Sequence, residues 1–356
     1  MENFETLERS NPKFKNYLLG NFSKELVAIP VQSFQINQPD EKITFQILPT
    51  AQIRRPSVIK ILFQLIRMEL LTLTVIPALT VACSLYSTGY SIWNLSSALF
   101  ALVFLHASIF CRNDFIDHMS GIDRLHEKGG SQVIQKGWLS AIAVQRLHYL
   151  FLTLALIFAL PIFIFQTKVI LLSIAVAVFG IIGYSHLRWG NWHWVFGDLA
   201  VFLCLGPFLT LGMAWALTLN PILLNIVQGF FLGTLALIYV ISKQCISMVI
   251  DQEAQMTTLP IRIGFDRTKN VLQSLLFAST VMLALFTFYF MAQSPSIPFL
   301  IFEILGLCSV IVLIGNIYTV VRNINSPLAS KLYTIPKKLL DIHLIAGVFL
   351  CALYLV

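Results

Sequence analysis

A cluster of acidic and amide side chains follows directly on an apolar stretch, in the segment NDFIDHMSGID at residues 113–123. If the apolar helix continues into this segment, Asn113 and Asp117 are four residues apart and Asp114 lies three residues before Asp117. Their oxygens then share one helix face. Mg²⁺ prefers hard oxygen ligands and completes its shell with waters and substrate phosphates. The spacing therefore predicts that these side chains bind Mg²⁺ together with a phosphorylated substrate.

Basic side chains lie close to this cluster in the sequence. Arg112 precedes it and Lys136 follows it in the same polar segment, so both are candidates to bind the remaining phosphate charge. Arg67, where the first apolar run begins, could also reach a phosphate, and the alternative is that it extends along the helix to water. A solvated loop face is the other interpretation of the acidic residues. The position of Asp114, Asp117 and Asp123 at the end of an apolar helix favours the binding site.

A second polar segment repeats part of this pattern. Lys243, Ser247 and Asp251 are spaced by four residues, which places them on one helix face, and Glu253 follows. Two acidic patches that face each other across a bundle can hold a diphosphate between metal ions. The pattern therefore predicts that Asp251 and Lys243 contribute to the same site as the first cluster.

The elements that position these residues are apolar. Hydrophobic residues make up 57% of the chain and charged residues 12%, with a mean hydropathy of +0.79. Globular chains are about a quarter charged, and about 20 apolar residues cross a bilayer as a helix. We therefore predict an all-α, polytopic membrane helix bundle of about nine transmembrane helices around a central cavity. The apolar runs lie near Leu70–Leu85, Ile92–Cys111, Tyr149–Phe165, Val169–Tyr184, Trp194–Leu217, Ile222–Ser242, Val271–Ala292, Ile297–Val321 and Leu339–Val356.

The distribution of Lys and Arg predicts the orientation in the membrane. When alternate loops are assigned to opposite sides, Lys168 is the single residue of the 24 Lys and Arg that falls away from the N-terminal side. Because basic loops stay in the cytoplasm, we predict a cytoplasmic N-terminus and active-site mouth, with the C-terminus outside. In a bacterium this would be the inner membrane. The net charge of +7 is thus a topology signal, and we predict no nucleic acid partner.

The polar residues before the first apolar run form a separate segment. We predict a cytosolic extension over residues 1–58 and a membrane domain over residues 59–356. Residues Leu26–Ile36 and Lys42–Leu48 are candidate short strands, and a loosely ordered tail is the alternative.

The segment NDFIDHMSGID resembles the NDxxDxxxGxD motif of the UbiA-type intramembrane prenyltransferases. Its GxD ending, at Gly121 and Asp123, is most similar to the branch that prenylates 1,4-dihydroxy-2-naphthoate for menaquinone. The resemblance covers the chain from about residue 60 to its end. It continues in GGSQVIQKGWLS (129–140), Tyr184, FGDLAVFLCLGPFLTLG (196–212) and TLPIRIG (258–264).

This resemblance implies a Mg²⁺-dependent enzyme that uses a prenyl diphosphate. It implies that Asn113, Asp114 and Asp117 bind the metal and that Asp251 belongs to a second metal site, with the three aspartates as catalytic residues. The chain departs from the branch at Ser247, which replaces an Asp, at Gln132 for Arg, at Gly130 for Pro and at Gln255-Met256 for Gly-Lys. The residues that the pattern and the resemblance together assign to the substrate are Arg67, Arg112, Asp123, Lys136, Tyr184, Asp198, Lys243 and Arg262.

The implied chemistry is ionisation of the prenyl diphosphate, followed by attack of an electron-rich aromatic carbon, inside the lipid bilayer. Metal ions and cations stabilise the departing diphosphate, and apolar surroundings keep water from the allylic cation. The alternatives are a prenyltransferase with another acceptor, such as a natural-product aromatic or a lipid, and a catalytically weakened homologue with a binding role. A transporter is disfavoured because the charged residues cluster on one membrane side rather than within the spans.

Overall fold

The computed structural model describes residues 3–23, 25–36, 38–125, 129–176, 193–218, 223–253, 256–293 and 296–355. The chain divides into two compact units. Unit 1 comprises Met1–Met68 and Phe104–Leu156, and unit 2 comprises Glu69–Val103 and Ile157–Val356.

Unit 1 begins with a three-stranded antiparallel sheet in the order β1-β3-β2. Pro30 lies on β2, an edge strand, where a residue without an N–H is tolerated because one side of the strand has no neighbour. A bulge interrupts the register between Pro30 and Gln32. The elements are β1 (Asn3–Glu8), α1 (Pro12–Leu19), β2 (Leu26–Phe34) and β3 (Lys42–Pro49).

Helix α1 has a start and a stop encoded in its sequence. The side chain of Asn11 caps the first turn, Pro12 occupies the first turn, and Gly20 ends the helix at a φ of 67°. The sheet and helix bury a common apolar cluster of Leu7, Phe14, Tyr17, Leu18, Ala28, Ile43 and Phe45. Of the two interpretations of the N-terminal segment, the structure therefore has the strands.

The rest of unit 1 is helical and leads to the acidic motif. It contains α2 (Val58–Leu65), the C-terminal part of α4 (Ile92–Ser120), α5 (Ile122–Leu125) and the first part of α6 (Ala141–Phe165). The side chain of Ser57 caps α2. These elements share a second buried cluster, formed by Ile61, Leu65, Cys111, Val133, Ile134, Ala141 and Val144.

Unit 2 contains the remaining helices and the parts of α4 and α6 that unit 1 does not include. One buried cluster joins several of its helices around Ala78, Ala98, Ile162, Leu209 and Ala214. Its helices are α3 (Thr72–Ser84), α7 (Thr167–Val176), α8 (His193–Leu205), α9 (Pro207–Leu217), α10 (Leu223–Glu253), α11 (Leu259–Ile263), α12 (Phe265–Met291), α13 (Ile297–Asn323) and α14 (Ile335–Leu355).

The predicted membrane architecture is confirmed. Within the described residues, seven helices are long and apolar enough to cross a bilayer, and the number is eight if the bent pair Val58–Leu65 with Met68–Ser84 is counted as one span. The shorter apolar helix α7 begins the run predicted at Val169–Tyr184, whose remainder lies outside the described residues. About nine predicted helices agree with this result, and the chain is an integral, multi-pass membrane protein.

Two helices extend further than the apolar runs predict. Helix α4 continues through Ser120 and α10 through Glu253, with 29 and 31 residues. The polar segments that follow the apolar runs Ile92–Cys111 and Ile222–Ser242 are therefore helical where they begin. An apolar run ends where the hydrocarbon ends, whereas helical backbone bonds continue as long as the residues favour them.

Three glycines allow a close helix crossing in unit 2. Gly206 separates α8 from α9, and Gly229 and Gly233 on α10 have the spacing GxxxG. A Cβ added at Gly206 would lie 2.5 Å from the carbonyl oxygen of Gly229 and 2.7 Å from the Cα of Gly233. The helix backbones are thus in direct contact, as small residues permit in membrane bundles.

Candidate active site

Helix α4 brings the polar residues of the first motif onto one helical face. It is helical through Ser120, so the predicted spacing of Asn113, Asp114 and Asp117 is confirmed. The Nδ2 atom of Asn113 donates a hydrogen bond to Oδ2 of Asp117 at 2.6 Å. This bond leaves the amide oxygen of Asn113 as an acceptor beside the Asp117 carboxylate.

Asp114 is held from two sides. Nη2 of Arg67 donates to Oδ1 of Asp114 at 2.6 Å, and the hydroxyl of Ser131 donates to Oδ2. The carboxylate is 1% exposed, so the ion pair and the hydroxyl replace water as its partners. Arg67 lies where α2 ends, at a φ of 51°, and its guanidinium also lies 4.8 Å from the centre of the Phe110 ring.

Asp123 lies on the short helix α5 and is 4% exposed. Burial raises its pKa well above the usual value, and the charges of Asp117 and Asp114 raise it further. Arg67 and a hydrogen bond from Gln135 act in the opposite direction. Asp114 and Asp117 are thus close enough to Asp123 for their charges to act on it, and a bound cation would offset this repulsion.

The segment after α5 has glycine at position 130, where the family branch has proline, and this glycine lies next to Asp123. Gly130 has a φ of 58°, which proline cannot adopt because its ring fixes φ near −65°. A Cβ at this position would lie 2.8 Å from Oδ1 of Asp123. Gln132 also has a positive φ, of 59°, and its side chain donates to the carbonyl of Gly129 at 2.5 Å. Glycine at position 130 therefore makes room for the carboxylate.

The two predicted phosphate-binding cations of this region have different surroundings. The Nε atom of Arg112 is buried and, among the described residues, has no hydrogen-bond partner. Lys136 is exposed, and its ammonium lies 4.7 Å from the centre of the Trp138 ring. Arg112 thus has a buried donor that a phosphate oxygen would satisfy, whereas Lys136 rests on an aromatic face.

Helix α1 and the residue before β3 contact the acidic motif and Arg124, which the sequence did not predict. Nε2 of His118 donates to the carbonyl of Leu18 at 2.9 Å, and Nη2 of Arg124 donates to Glu41 at 2.6 Å. Ser131 and Gln135 also bind motif carboxylates. Ser131 and Gln135 could have been suspected only because they lie near the motif in the sequence. Glu41 and Leu18 lie far from it, so no sequence signal marks them.

Unit 2 carries the second acidic patch. The hydroxyl of Ser247 donates to Oδ2 of Asp251 at 2.6 Å, so the residue that replaces an Asp satisfies the remaining one. Asp251 is buried, and its carbonyl accepts from the backbone N–H of Met256 at 2.9 Å. Lys243, on the same helix, and Arg262, on α11, have exposed side chains. The predicted face of α10 is therefore present.

Asp198 lies on α8 in unit 2. Nε2 of Gln244 donates to its Oδ1 at 2.7 Å. The amide oxygen of Gln244 is buried without a hydrogen-bond partner in the described part of the chain. Tyr184 and Gln255 lie outside the described residues. Asp198 is thus linked to the helix that carries Asp251, through a residue that the sequence analysis did not single out.

The donor set limits which metal ions fit. The described residues include no group of three His, Cys, Asp or Glu side chains arranged to hold a metal ion on their own. Two carboxylates one helical turn apart and an amide oxygen are hard ligands that leave most of the coordination shell open. This set fits Mg²⁺, which binds through one or two carboxylates plus waters and substrate phosphates. It does not fit a closed structural zinc site.

Comparisons with known proteins agree with these features. The model of the UbiA prenyltransferase family matches residues 74–335. No curated protein sequence matches the chain significantly.

Solved structures extend the similarity to the fold. A UbiA homologue from Archaeoglobus fulgidus bound to GPP and Mg²⁺ aligns with a TM-score of 0.60 and 17% identity, over 83% of this chain and 98% of that chain. A structure from work on digeranylgeranylglyceryl phosphate synthase in membranes aligns with a TM-score of 0.58 and 15% identity, over 83% and 98%. An apo UbiA homologue from Aeropyrum pernix K1 gives 0.56 and 11%, over 79% and 96%.

Proposed function

Because the chain belongs to the UbiA prenyltransferase family, we propose that it transfers a prenyl group from a prenyl diphosphate to an aromatic acceptor, with Mg²⁺ as cofactor. The observation that carries this proposal is the set of buried acids in unit 1, in which Asp114 is paired with Arg67 and Asp123 has a raised pKa. The UbiA homologue from Archaeoglobus fulgidus, which has a similar fold, binds GPP and Mg²⁺.

In this proposal Asn113, Asp114 and Asp117 hold Mg²⁺. The bound ion neutralises charge that develops on the departing diphosphate. Arg67 fixes the rotamer of Asp114 through a bond of 2.6 Å, and the unpaired Nε of Arg112 donates to a phosphate oxygen. Asp123 and Lys136 complete the substrate contacts of unit 1.

Residues of unit 2 have matching roles. Asp251, held by Ser247, ligates a second Mg²⁺. Lys243 and Arg262 present exposed cations that bind diphosphate oxygens. Asp198, oriented by Gln244, and Tyr184 contact the substrate. We assign the transferase domain to residues 59–356.

Ionisation of the donor leaves an allylic cation, which water would quench. The apolar helices exclude water from it, and the aromatic carbon of the acceptor attacks before the cation can be hydrolysed. The attacked ring carbon then loses its proton to the released diphosphate, which restores the aromatic ring. The prenyl tail is itself apolar and lies among the apolar helices. The basic loops support a cytoplasmic mouth of the site and a cytoplasmic N-terminus, with the C-terminus outside.

We propose 1,4-dihydroxy-2-naphthoate, a menaquinone precursor, as the aromatic acceptor. The support is the GxD ending of the first motif, at Gly121 and Asp123. A buried Asp123 with a raised pKa can hold a proton and donate a hydrogen bond to an acceptor oxygen.

The direct test incubates the purified protein with labelled prenyl diphosphates of several chain lengths, Mg²⁺ and a panel of acceptors. The panel contains 1,4-dihydroxy-2-naphthoate, 4-hydroxybenzoate and a glycerol phosphate lipid. We expect diphosphate release and a prenylated naphthoate only when Mg²⁺ is present. Transfer to the glycerol lipid alone would refute the aromatic acceptor. Failure to release diphosphate under all conditions, from protein that is folded, would refute the enzymatic function.

A further inference from the structure

The N-terminal module (residues 3–49, comprising β1, α1, β2 and β3) forms a buried ion pair with the end of the acidic motif. Glu41 precedes β3, and its Oε1 accepts from Nη2 of Arg124 at 2.6 Å; both side chains are only 4% exposed. Its Oε2 lies 3.4 Å from Nη1 of Arg9, which belongs to the same module. Arg124 directly follows Asp123 in the sequence. The ion pair therefore anchors the residue next to the motif's last acid.

A chain of hydrogen bonds runs from the same module to the Asp123 carboxylate. Nε2 of His118 donates to the carbonyl of Leu18 at 2.9 Å, which leaves Nδ1 as an acceptor. The side-chain amide of Gln135 donates to Nδ1 of His118 and to Oδ2 of Asp123, both at 3.3 Å. Because one amide has two N–H groups, both bonds can form together. The orientation of Asp123 is thus linked to the end of α1.

Apolar contacts accompany these polar ones. Met119 packs against the buried cluster of the module. At Gly137, which has a φ of 67°, an added Cβ would lie 3.0 Å from Ile53 and 3.1 Å from Ile29. The module therefore touches the motif helix and the segment after it on both sides of Asp123. Contact at several points fixes orientation as well as position.

The module lies outside the part of the chain that defines the family. The family model begins at residue 74, so it does not include the module. Membership of the family therefore does not by itself explain what the module contributes.

We propose that the N-terminal module is a positioning element that holds Asp123 and the end of α4 in the geometry needed to bind Mg²⁺ and diphosphate. Glu41 in the module, and His118 and Gln135 outside it, are then positioning residues that act through Asp123. This inference rests on the proposed function for its catalytic consequence, although the contacts themselves do not depend on it. When the module's contacts are lost, the buried guanidinium of Arg124 has no counter-ion and the Asp123 carboxylate has no fixed rotamer.

The test compares Glu41→Gln with a matched control, Glu8→Gln. Glu8 forms an ion pair with Lys42 at 2.6 Å in the same module, but both side chains are about half exposed, and among the described residues neither has an ion pair with the motif. A third variant, Gln135→Leu, interrupts the hydrogen-bond chain and leaves the Glu41–Arg124 ion pair in place. It keeps the experiment informative if Glu41→Gln fails to fold.

Two measurements are made on full-length protein in detergent. Hydrogen–deuterium exchange of the amides in residues 112–125 reports how firmly the module holds this segment, and it does not require activity. The Mg²⁺ concentration that half-saturates diphosphate release reports its catalytic consequence. For Glu41→Gln and Gln135→Leu we expect faster exchange in this segment and a half-saturating Mg²⁺ concentration about tenfold higher, as for other groups that orient metal ligands. Glu8→Gln should match the wild type in both.

The possible results separate the alternatives. A lower melting temperature of Glu41→Gln with wild-type exchange in residues 112–125 and wild-type Mg²⁺ dependence would show a merely structural role and overturn the proposal. If the variants exchange faster than the wild type but the wild type releases no diphosphate, the positioning element is supported and the proposed function is refuted. Rescue of Mg²⁺ dependence by Arg124→Lys, relative to Arg124→Gln, would support a role for the ion pair.

Discussion

Arg67 and Asp114 form an ion pair at 2.6 Å, with side chains 18% and 2% exposed, although 47 residues separate them in the sequence. Within unit 1, the pair connects the residues that follow α2 to helix α4, which carries the acidic motif. Removal of one member of a buried pair leaves an uncompensated charge and costs about 3–5 kcal/mol. Arg67→Gln should therefore lower the melting temperature and diphosphate release together. Arg67→Lys retains the charge and should recover most of the stability but less of the activity, because lysine cannot keep the planar fork. Equal activity of both variants would contradict this role.

Asp117 is the acid whose loss should have the largest catalytic effect. Asp117→Ala removes a proposed Mg²⁺ ligand and leaves Asn113 without its partner at 2.6 Å. We expect diphosphate release to fall by at least about a hundredfold, as for other groups that stabilise transition-state charge. Asp266→Ala is the control, because the Asp266 side chain is exposed and its only ion-pair partner among the described residues is Lys269. Wild-type turnover of Asp117→Ala would count against the site assignment.

Asp123 should make the stability of the metal-free protein depend on pH. Its folded-state pKa is raised by burial first and then by Asp117 and Asp114. The folded protein thus holds this proton more tightly than the unfolded chain, so the contribution is complete below the unfolded pKa and is lost as pH rises through the folded pKa.

Asp123→Asn removes this titration and keeps an acceptor for Gln135. In the absence of Mg²⁺, the variant should melt at a higher temperature than the wild type at about pH 8, with a smaller difference at about pH 5. Added Mg²⁺ should stabilise the wild type more than the variant. A constant difference across this pH range would refute the interpretation.

Gly130 should be more sensitive to substitution than another glycine with a similar backbone. Gly130 and Gly89 have φ values of 58° and 70°, so alanine at either position pays the left-handed penalty of roughly 1–2 kcal/mol. Only at Gly130 does the new Cβ meet Asp123; Gly89 has nothing within 4 Å. Gly130→Ala should therefore lower diphosphate release and stability more than Gly89→Ala. Identical effects of the two variants would show that the contact with Asp123 is unimportant.

Ser247→Asp restores the acid that the family branch has at this position. The hydroxyl of Ser247 now donates to Asp251 at 2.6 Å, and a carboxylate there would replace this bond with like-charge repulsion. The variant should be less stable than the wild type without Mg²⁺, and Mg²⁺ should stabilise it more. Ser247→Ala, which loses the bond without adding charge, is the control. A variant whose stability does not respond to Mg²⁺ would argue against a metal site at Asp251.

Local spacing was sufficient to predict the polar faces of the two long helices. Asn113 with Asp117, and Ser247 with Asp251, are four residues apart, and both pairs form hydrogen bonds because a helix returns to the same face after that interval. The membrane helices followed equally directly from apolar runs.

Contacts between distant parts of the chain left no such pattern. Leu18 and His118 are 100 residues apart, and Glu41 and Arg124 are 83 residues apart. The Leu18 partner is a backbone carbonyl, which every residue has, and Glu41 lies in a polar segment where an acid is ordinary. The fold of the N-terminal module and its contact with the motif therefore required the three-dimensional structure.

The contact of Gly206 with Gly229 and Gly233 sets a limit for protein engineering. Each position is filled by the neighbouring backbone, so even a methyl group forces the helices apart. A library designed to alter the length of the isoprenoid accepted should keep these three codons fixed and place its diversity elsewhere, since enlarging a side chain at this crossing would test helix assembly rather than substrate choice.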